Sequence, residues 1–152
     1  MPRLEALSQV QRSSLESYPA QLNETTPWTP LPKPLDRCRV ALVTTAGLHL
    51  RDDVPFASAE TRFREFPSNA TAAELLQSHP SANFDRSALQ RDLDTSFPVD
   101  RLRELAADGK IGGLAPKAYS FIGALHRYQP LETESGPEVA QWLRADGADV
   151  VL

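Results

Sequence analysis

The sequence predicts an α/β fold, a parallel-sheet domain in three layers, from three observations. Residues 40–43 form a continuous apolar run, which is typical of a parallel strand covered on both faces. A helix-forming segment, Gly147 and Asp149 precede a second apolar run at residues 150–152, in the order of the second half of a βαβ unit. The 152 residues are enough for one domain with a buried core.

Composition and charge limit the class of protein. Hydrophobic residues make up 41% of the chain and charged residues 24%, which argues against wholesale disorder. The net charge of −4 disfavours a nucleic-acid or acidic-membrane partner, since both bind basic surfaces. No apolar run approaches the roughly 20 residues of a membrane span, and the N-terminus lacks the apolar core of a signal peptide. The single cysteine cannot form an internal disulfide, so we predict a cytoplasmic protein.

The sequence divides into an N-terminal segment, residues 1–38, and an α/β domain, residues 39–152. Apolar side chains at helical spacing predict an amphipathic helix over residues 4–15. Prolines then recur every few residues over 19–34 and predict an extended strap, because proline fixes φ and removes a backbone donor. We expect this N-terminal segment to lead into the domain.

Three side chains near the end of this segment indicate whether it packs against the domain and whether it carries a reactive group. Trp28 and Leu31 suggest that the strap packs against its own domain. Cys38 lies between two arginines, a setting that lowers a thiol pKa and favours reactivity. Free cysteines pack more often than they react, so the favoured interpretation is a small residue entering a strand.

The middle of the domain carries shorter and weaker patterns. Residues 62–66 alternate imperfectly and indicate a short strand. Residues 72–78 fit a helix start or a short buried strand, and the abrupt Ser-His-Pro that follows favours the strand. Residues 81–96 are too polar for the core and predict either a solvated loop or a loop that lines a site.

Two helices are better marked by their ends. Residues 99–107 have apolar side chains on one face and an acidic first turn, and Gly109 suits the position just after a helix. Residues 119–123 fit either a strand or a helix start. The last helix has Ser135 as a candidate cap and Pro137 in its first turn.

Two histidines follow predicted strand ends, where α/β folds place ligand sites. His49 comes after a small-residue loop and His79 after the strand predicted near residue 76. A hydrogen-bonded structural role is the equally weighted alternative for both. His126 stands in a polar stretch and is interpreted as a surface residue. Gly-rich phosphate loops, paired cysteines, metal-ligand histidine spacing and nucleophile elbows are absent from the sequence, so no metal and no cofactor is predicted.

An ordered set of motifs resembles a known family. The motifs are VALVTTAGLH at 40–49, PF at 55–56, SH at 78–79, NFDR at 83–86, FPVDRLREL at 97–105 and YSF at 119–121, with Gly123 after them. Each is weak alone, but together they are similar to the selenoprotein B family, which includes glycine, sarcosine, betaine and D-proline reductase subunits and their cysteine-containing relatives. The PWTP strap at 27–30 also resembles bacterial members.

The resemblance implies an α/β fold and reductive cleavage of a carbon–heteroatom bond in a small amine or amino-acid-like substrate. The family's nucleophile is a cysteine or selenocysteine, which must be a thiolate or selenolate and therefore needs a positive or hydrogen-bonding environment. The residues that we expect to supply this environment are His49, His79 and Arg86. The candidate substrate-binding residues are Thr45, Asp85 and Ser120; by pattern alone, Asp85 with Arg86 is more often a solvated pair and Ser120 a turn residue.

The sequence departs from the family in two places. Ala118 stands where the family usually has a histidine before the YSF motif. The family's redox motif normally follows the strand at 148–152, so we expect the chain to be incomplete at its C-terminus, as a truncated piece, as a product of a selenocysteine codon read as a stop, or as a naturally shortened relative. The alternative function is a non-catalytic binding or assembly subunit that pairs with a partner protein or with a second copy.

Overall fold

The computed structural model describes residues 3–17, 24–26, 28–81, 86–123, 125 and 127–152. It contains helices and strands in the mixed order expected of an α/β protein. The helices are α1 Gln9–Glu16, α2 Arg86–Arg91, α3 Val99–Ala107 and α4 Gly136–Ala145. The strands are β1 Arg39–Ala41, β2 Val43–Thr44, β3 Leu48–Leu50, β4 Arg64–Pro67, β5 Leu75–Gln77, β6 Gly113–Leu114, β7 Lys117–Ser120 and β8 Val150–Val151.

One parallel ladder forms the centre of the fold. Strand β1 pairs in parallel with β6 on one side and with β8 on the other, and β2 pairs in parallel with β7. Five carbonyl oxygens accept N–H groups across the ladder at 2.8 to 3.0 Å; the acceptor and donor residues are Cys38 with Gly112, Val40 with Ala115, Leu42 with Tyr119, Thr44 with Phe121 and Thr45 with Gly123. The predicted parallel strand at 40–43 is therefore confirmed.

Successive residues of this central strand enter different parts of the core. Val40 and Leu42 join a cluster that includes Leu102 of α3, whereas Ala41 joins a cluster that includes Val139 and Leu143 of α4. Because side chains alternate along a strand, both faces of the sheet are covered, one by α3 and the other by α4. This arrangement of helix, sheet and helix confirms the predicted α/β class.

Two antiparallel pairs complete the strands, so the pairing is not parallel throughout. Strand β4 lies antiparallel to β7, with Phe66 opposite Ala118, and β3 lies antiparallel to β5, with His49 opposite Leu76. His49 follows the end of a strand and a small-residue turn, as predicted, but the chain turns at Gly47 and immediately forms β3, so His49 lies within a second strand. The predicted strands near 62–66 and 72–78 are confirmed as β4 and β5.

The helical predictions succeed where caps agree with periodicity. Helix α3 spans the predicted residues and is followed by Gly109 with φ of 68°. The predicted loop at 81–96 is wrong from residue 86 onward, where α2 and a 3-10 turn at Leu93–Thr95 form. Leu89 and Leu93 pack against the core, and their four-residue spacing is masked in the sequence by charged neighbours.

The N-terminal helix is shorter than predicted and is interrupted. A 3-10 turn at Leu4–Ala6 precedes α1, and Ser8 caps α1 by accepting the backbone N–H of Gln11 at 3.4 Å. This capping box separates the 3-10 turn from α1, because Ser8 has the non-helical backbone that an N-cap requires. Val10 is 81% exposed, and neither element contains a buried residue.

The strap is held by polar groups and not by its apolar side chains. Trp28 is 85% exposed and Leu31 is 53% exposed, so the expected packing of both is wrong. The Cys38 thiol lies 3.3 Å from the Lys33 carbonyl, to which it donates, and Cys38 is fully buried, which confirms the packing interpretation of this cysteine. Backbone and charged contacts at Lys33 hold the strap, so Trp28 is not needed as an anchor.

Ser135 does not cap α4, because the residues before it are already helical. A π-helical turn, Leu131–Ser135, runs directly into α4, and the buried Ser135 hydroxyl donates to the Thr61 carbonyl at 2.7 Å. Pro137 occupies the first turn of α4 as predicted. No helix among the described residues has the length and apolar character needed to cross a bilayer.

Asp149 joins the strap, the start of β1 and the approach to β8. One of its carboxylate oxygens accepts the Arg39 backbone N–H at 2.8 Å and lies 2.8 Å from the Lys33 Nζ. The Arg39 guanidinium donates to the Asp146 carbonyl at 2.8 Å. The hydrogen bond from Lys33, and after it the one from the Arg39 backbone, lower the pKa of Asp149 below its ordinary value.

Acid should weaken this junction. Since the pKa of Asp149 is lowered by folding, its contribution to the free energy of unfolding is complete above the unfolded-state pKa of about 3.9 and is lost as pH falls through the folded-state pKa. Asp149→Asn should therefore lose less stability than the unmodified chain between about pH 4 and pH 2, as measured by urea unfolding. Asp108→Asn, at the exposed end of α3, should follow the unmodified chain. An unchanged pH dependence in Asp149→Asn would contradict the assignment.

Gly112 is required where the chain passes closest to the start of β1. A Cβ added at Gly112 would lie 2.6 Å from the Arg37 carbonyl carbon, and the Gly112 N–H donates to the Cys38 carbonyl at 2.8 Å. Gly112→Ala should lower the free energy of unfolding by about 1–3 kcal/mol, because backbone atoms must move apart. Gly109→Asn is the control: nothing lies within 4 Å of that position and asparagine tolerates its φ of 68°, so little change is expected. Equal losses in the two variants would be inconsistent with this steric cause.

Candidate functional site

A cavity of about 950 Å³ lies where the central ladder ends. Its walls come from three segments of chain: a loop with Ser58 and Thr61, the turn that begins at His79, and the segment with Gly123 and Arg127. The last hydrogen bond of the ladder, from the Gly123 N–H to the Thr45 carbonyl at 2.9 Å, lies beside it. The cavity is therefore at the carboxyl ends of β2 and β7, where parallel sheets place ligand sites.

His79 is held between two glycines that come from different parts of the chain. A Cβ at Gly47 would lie 3.2 Å from the His79 backbone nitrogen, and Gly47 has φ of 68°. A Cβ at Gly123 would lie 3.4 Å from His79 Nε2 and 3.3 Å from the Thr45 carbonyl oxygen. The close approach of all three segments to the imidazole therefore depends on small residues at both positions.

The hydrogen bonds of His79 fix the form of its ring. Nδ1 accepts the Ser81 backbone N–H at 3.2 Å, so the neutral ring carries its proton on Nε2. The side chain is 3% exposed, and this burial, together with the positive charge of Arg86, lowers the pKa of His79 below its ordinary value of 6.5. A neutral imidazole therefore lies at the cavity wall.

Two other predicted residues stand beside His79. Thr45 is exposed and contacts the same Gly123 that adjoins the imidazole. Arg86, the first residue of α2, donates from Nη2 to the His79 carbonyl at 2.7 Å. The structure thus brings Thr45, His79 and Arg86 together, with Arg86 acting on the ring through its charge and on the backbone through its hydrogen bond.

The remaining candidates do not line this cavity or are not described. His49 is 2% exposed within β3, with Nδ1 2.7 Å from the Leu50 carbonyl oxygen and its ring edge-on to Phe56. Ser120 is fully buried, and its hydroxyl accepts the Leu48 N–H at 2.8 Å. Asp85 and His126 lie outside the described residues.

Ala118 faces the core and not the cavity. It is fully buried in β7 opposite Phe66 and belongs to the cluster that contains Phe97. Ala118 therefore contributes no group to the cavity of this chain.

Several cavity residues were not singled out by the sequence. These are Ser58, Thr61, Ser81, Arg127, Tyr128 and Gln129. Arg127 and Tyr128 stood in the stretch interpreted as surface, and they lie seven and eight residues beyond the end of β7, too far for the strand-end pattern that singled out His79. Among the described residues, no three histidine, cysteine or acidic side chains come together as a metal site would require.

The fold and the cavity define an α/β protein with a ligand-sized site at its strand ends, and comparison with known proteins gives the family. A sequence profile of the glycine/sarcosine/betaine reductase selenoprotein B family matches residues 14–152. The chain belongs to this family. No solved structure matches it.

Curated relatives are named as subunits of reductases. The chain is 37% identical over 126 residues to the D-proline reductase subunit gamma of Acetoanaerobium sticklandii, an alignment that covers 82% of the chain and 51% of the relative. It is 29% identical over 132 residues to a glycine reductase complex component B subunit gamma of Carboxydothermus hydrogenoformans, covering 83% of the chain and 30% of that subunit. A sarcosine reductase complex component B subunit beta of Peptoclostridium acidaminophilum is 28% identical over 112 residues, 70% of the chain and 25% of the relative. The chain thus spans from a quarter to about half of the length of these relatives.

The pKa of His79 should respond to its cationic neighbour. Arg86→Gln removes the repulsion between the guanidinium and the imidazolium, so the pKa of His79 should rise but stay below 6.5, because burial, the larger cause, is retained. An NMR titration of the imidazole proton measures it. Arg91→Gln, at the exposed far end of the same helix, is the charge-matched control and should leave the titration unchanged. Identical His79 titrations in the two variants would refute the role of Arg86.

Proposed function

We propose that this chain forms the substrate-binding part of a selenoprotein-B-type reductase. The reaction is reductive cleavage of a carbon–heteroatom bond in a small amine or amino-acid-like substrate, and the cavity beside His79 holds that substrate. The observation that carries the proposal is the position of this cavity at the strand ends of a chain that belongs to the reductase family.

The cavity has the size and chemistry for such a ligand. About 950 Å³ exceeds the space needed by a compound of fewer than ten non-hydrogen atoms, and typical ligand pockets measure roughly 300–1,000 Å³. Its walls combine hydroxyl groups, such as those of Ser58 and Thr61, with apolar groups, such as Ile122 and Leu125. His79 adds a neutral imidazole to the same wall.

The nucleophile in this proposal is not Cys38. Its thiol is fully buried at the start of β1, donates to the Lys33 carbonyl, and lies at the end of the ladder opposite the cavity. The parallel alignment offers a different route. The Leu152 carbonyl accepts the Val43 N–H at 2.9 Å, so a segment that continues β8 in a longer protein would run beside Thr44 toward the cavity edge. A cysteine or selenocysteine there would approach a substrate next to His79.

A non-catalytic assembly role is the second candidate, and the outer edge of β8 favours it. Strand order β6-β1-β8 leaves one side of β8 without a partner among the described strands, and Val151 is 51% exposed. An exposed strand edge can accept a strand from a partner protein or a second copy. Substrate binding by the isolated chain would favour the reductase role. A chain that binds a partner protein but no small molecule would favour the assembly role.

Two buried histidines give a matched test of the cavity. His79→Asn and His49→Asn both remove a buried imidazole, but only His79 lines the cavity. Glycine, sarcosine, betaine and D-proline are titrated into the purified chain by NMR. The acid that binds best should lose at least about tenfold in affinity in His79→Asn and keep its affinity in His49→Asn.

The same variants separate the two candidate functions. If the chain is part of a protein that carries the redox cysteine or selenocysteine, dithiothreitol-dependent reduction by that protein should fall with His79→Asn and persist with His49→Asn. Equal affinities in both variants, or binding of none of the four acids at about 50 mM, would overturn the proposed substrate cavity.

A further inference from the structure

The cavity wall carries positive charge and no described acidic side chain. Of the described residues that line it, Arg127 has a permanent charge, His79 is held neutral, and the other side chains are uncharged. A cavity of this kind lowers the energy of a bound anion and disfavours a ligand that presents a cation to the same wall.

Arg127 lines the cavity and has no described counter-ion, unlike Arg62 and Arg64 nearby. Arg86 also has no described counter-ion, but it does not line the cavity and donates to the His79 carbonyl. Arg62 pairs with Glu138 at 2.8 Å, and Arg64 pairs with Glu60 at 2.7 Å, although Glu60 lies between two lining residues. The acids that border the cavity are therefore already neutralised. Arg127 makes no ion pair or hydrogen bond with any side chain that the structure describes, so its guanidinium is available to a ligand.

We infer that Arg127 is the residue that binds the carboxylate of the substrate. A guanidinium presents two parallel N–H donors that match the two oxygens of a carboxylate, which gives both orientation and selectivity. The hydroxyl groups of Ser58, Thr61 and Tyr128 line the same cavity and can complete the hydrogen bonding of the anion. This inference rests on the proposed function, because it names the residue that would recognise the substrate in the same cavity.

The inference assigns separate tasks to two residues of one site. Arg127 selects ligands by their carboxylate, and His79 acts at the remainder of the molecule. Substitution of Arg127 should therefore change which ligands bind, whereas substitution of His79 should weaken the binding of acids and of their carboxamides alike. This difference distinguishes a loss of anion recognition from a disruption of the whole cavity, which would weaken the binding of every ligand.

The test compares each acid with its carboxamide. D-Proline and D-prolinamide, and sarcosine and sarcosinamide, are titrated by NMR into the purified chain and its variants. The unmodified chain should bind the acid about 10- to 100-fold more tightly than the amide, as expected for a charge-assisted, bidentate contact. Arg127→Gln should abolish the preference for the acid: acid affinity should fall, and the affinity of the amide, a cation at neutral pH, should stay the same or rise slightly because a like charge is removed. Arg127→Lys should keep part of the preference that Arg127→Gln loses, because lysine retains the positive charge but lacks the two parallel N–H donors of the guanidinium.

Arg144→Gln is the control for net charge, since Arg144 is exposed on α4 and does not line the cavity. It should retain the preference of the unmodified chain. An acid preference that persists in Arg127→Gln, an amide that binds the unmodified chain as tightly as the acid, or a chain that binds neither compound would overturn the inference. A preference that depends on Arg127 in a protein that reduces no substrate would uphold the inference while the proposed reductase function fails.

Discussion

The parallel ladder between residues 38–45 and 112–123 is the constraint on which the other parts of the structure depend. It buries the central strand, and it sets which residues of that strand face α3 and which face α4. One end of the ladder is closed by Gly112 against the backbone of Arg37, and the other ends at Gly123. The close backbone contact at Gly112 and the cavity are therefore at opposite ends of the same set of hydrogen bonds.

The cavity forms at the point where the hydrogen bonds of this ladder end. Beyond Thr45 the chain turns at Gly47, and the Ser78 N–H donates to the Gly47 carbonyl at 3.0 Å, which brings His79 beside Gly123. Each of the three segments contributes backbone as well as side chains, so the imidazole has little room to move. The position of the ring at the cavity wall is therefore set by the backbone of all three segments.

The features that the sequence predicted correctly are those determined by interactions between residues close together in the chain. The apolar run at 40–43, the end of α3 and the position of His79 after a short strand follow from burial, capping and turn chemistry within a few residues. The strand that holds His49 was missed because it exists only through pairing with β5, almost thirty residues away. Arg127 was missed for a similar reason: its placement in the cavity wall depends on how its loop packs against distant parts of the chain, and no local pattern encodes that packing.

The order of strands in space also has a consequence for how the protein is made. Both neighbours of β1 come from the second half of the chain, and the Arg39 N–H meets its carboxylate partner 110 positions later. On a ribosome, the first strand must remain without either neighbour until most of the polypeptide has emerged. Since contacts between distant residues slow folding, the apolar run at 40–43 is exposed to aggregation during that interval. Slow synthesis would lengthen this exposure, and a chaperone that covers this run would relieve it.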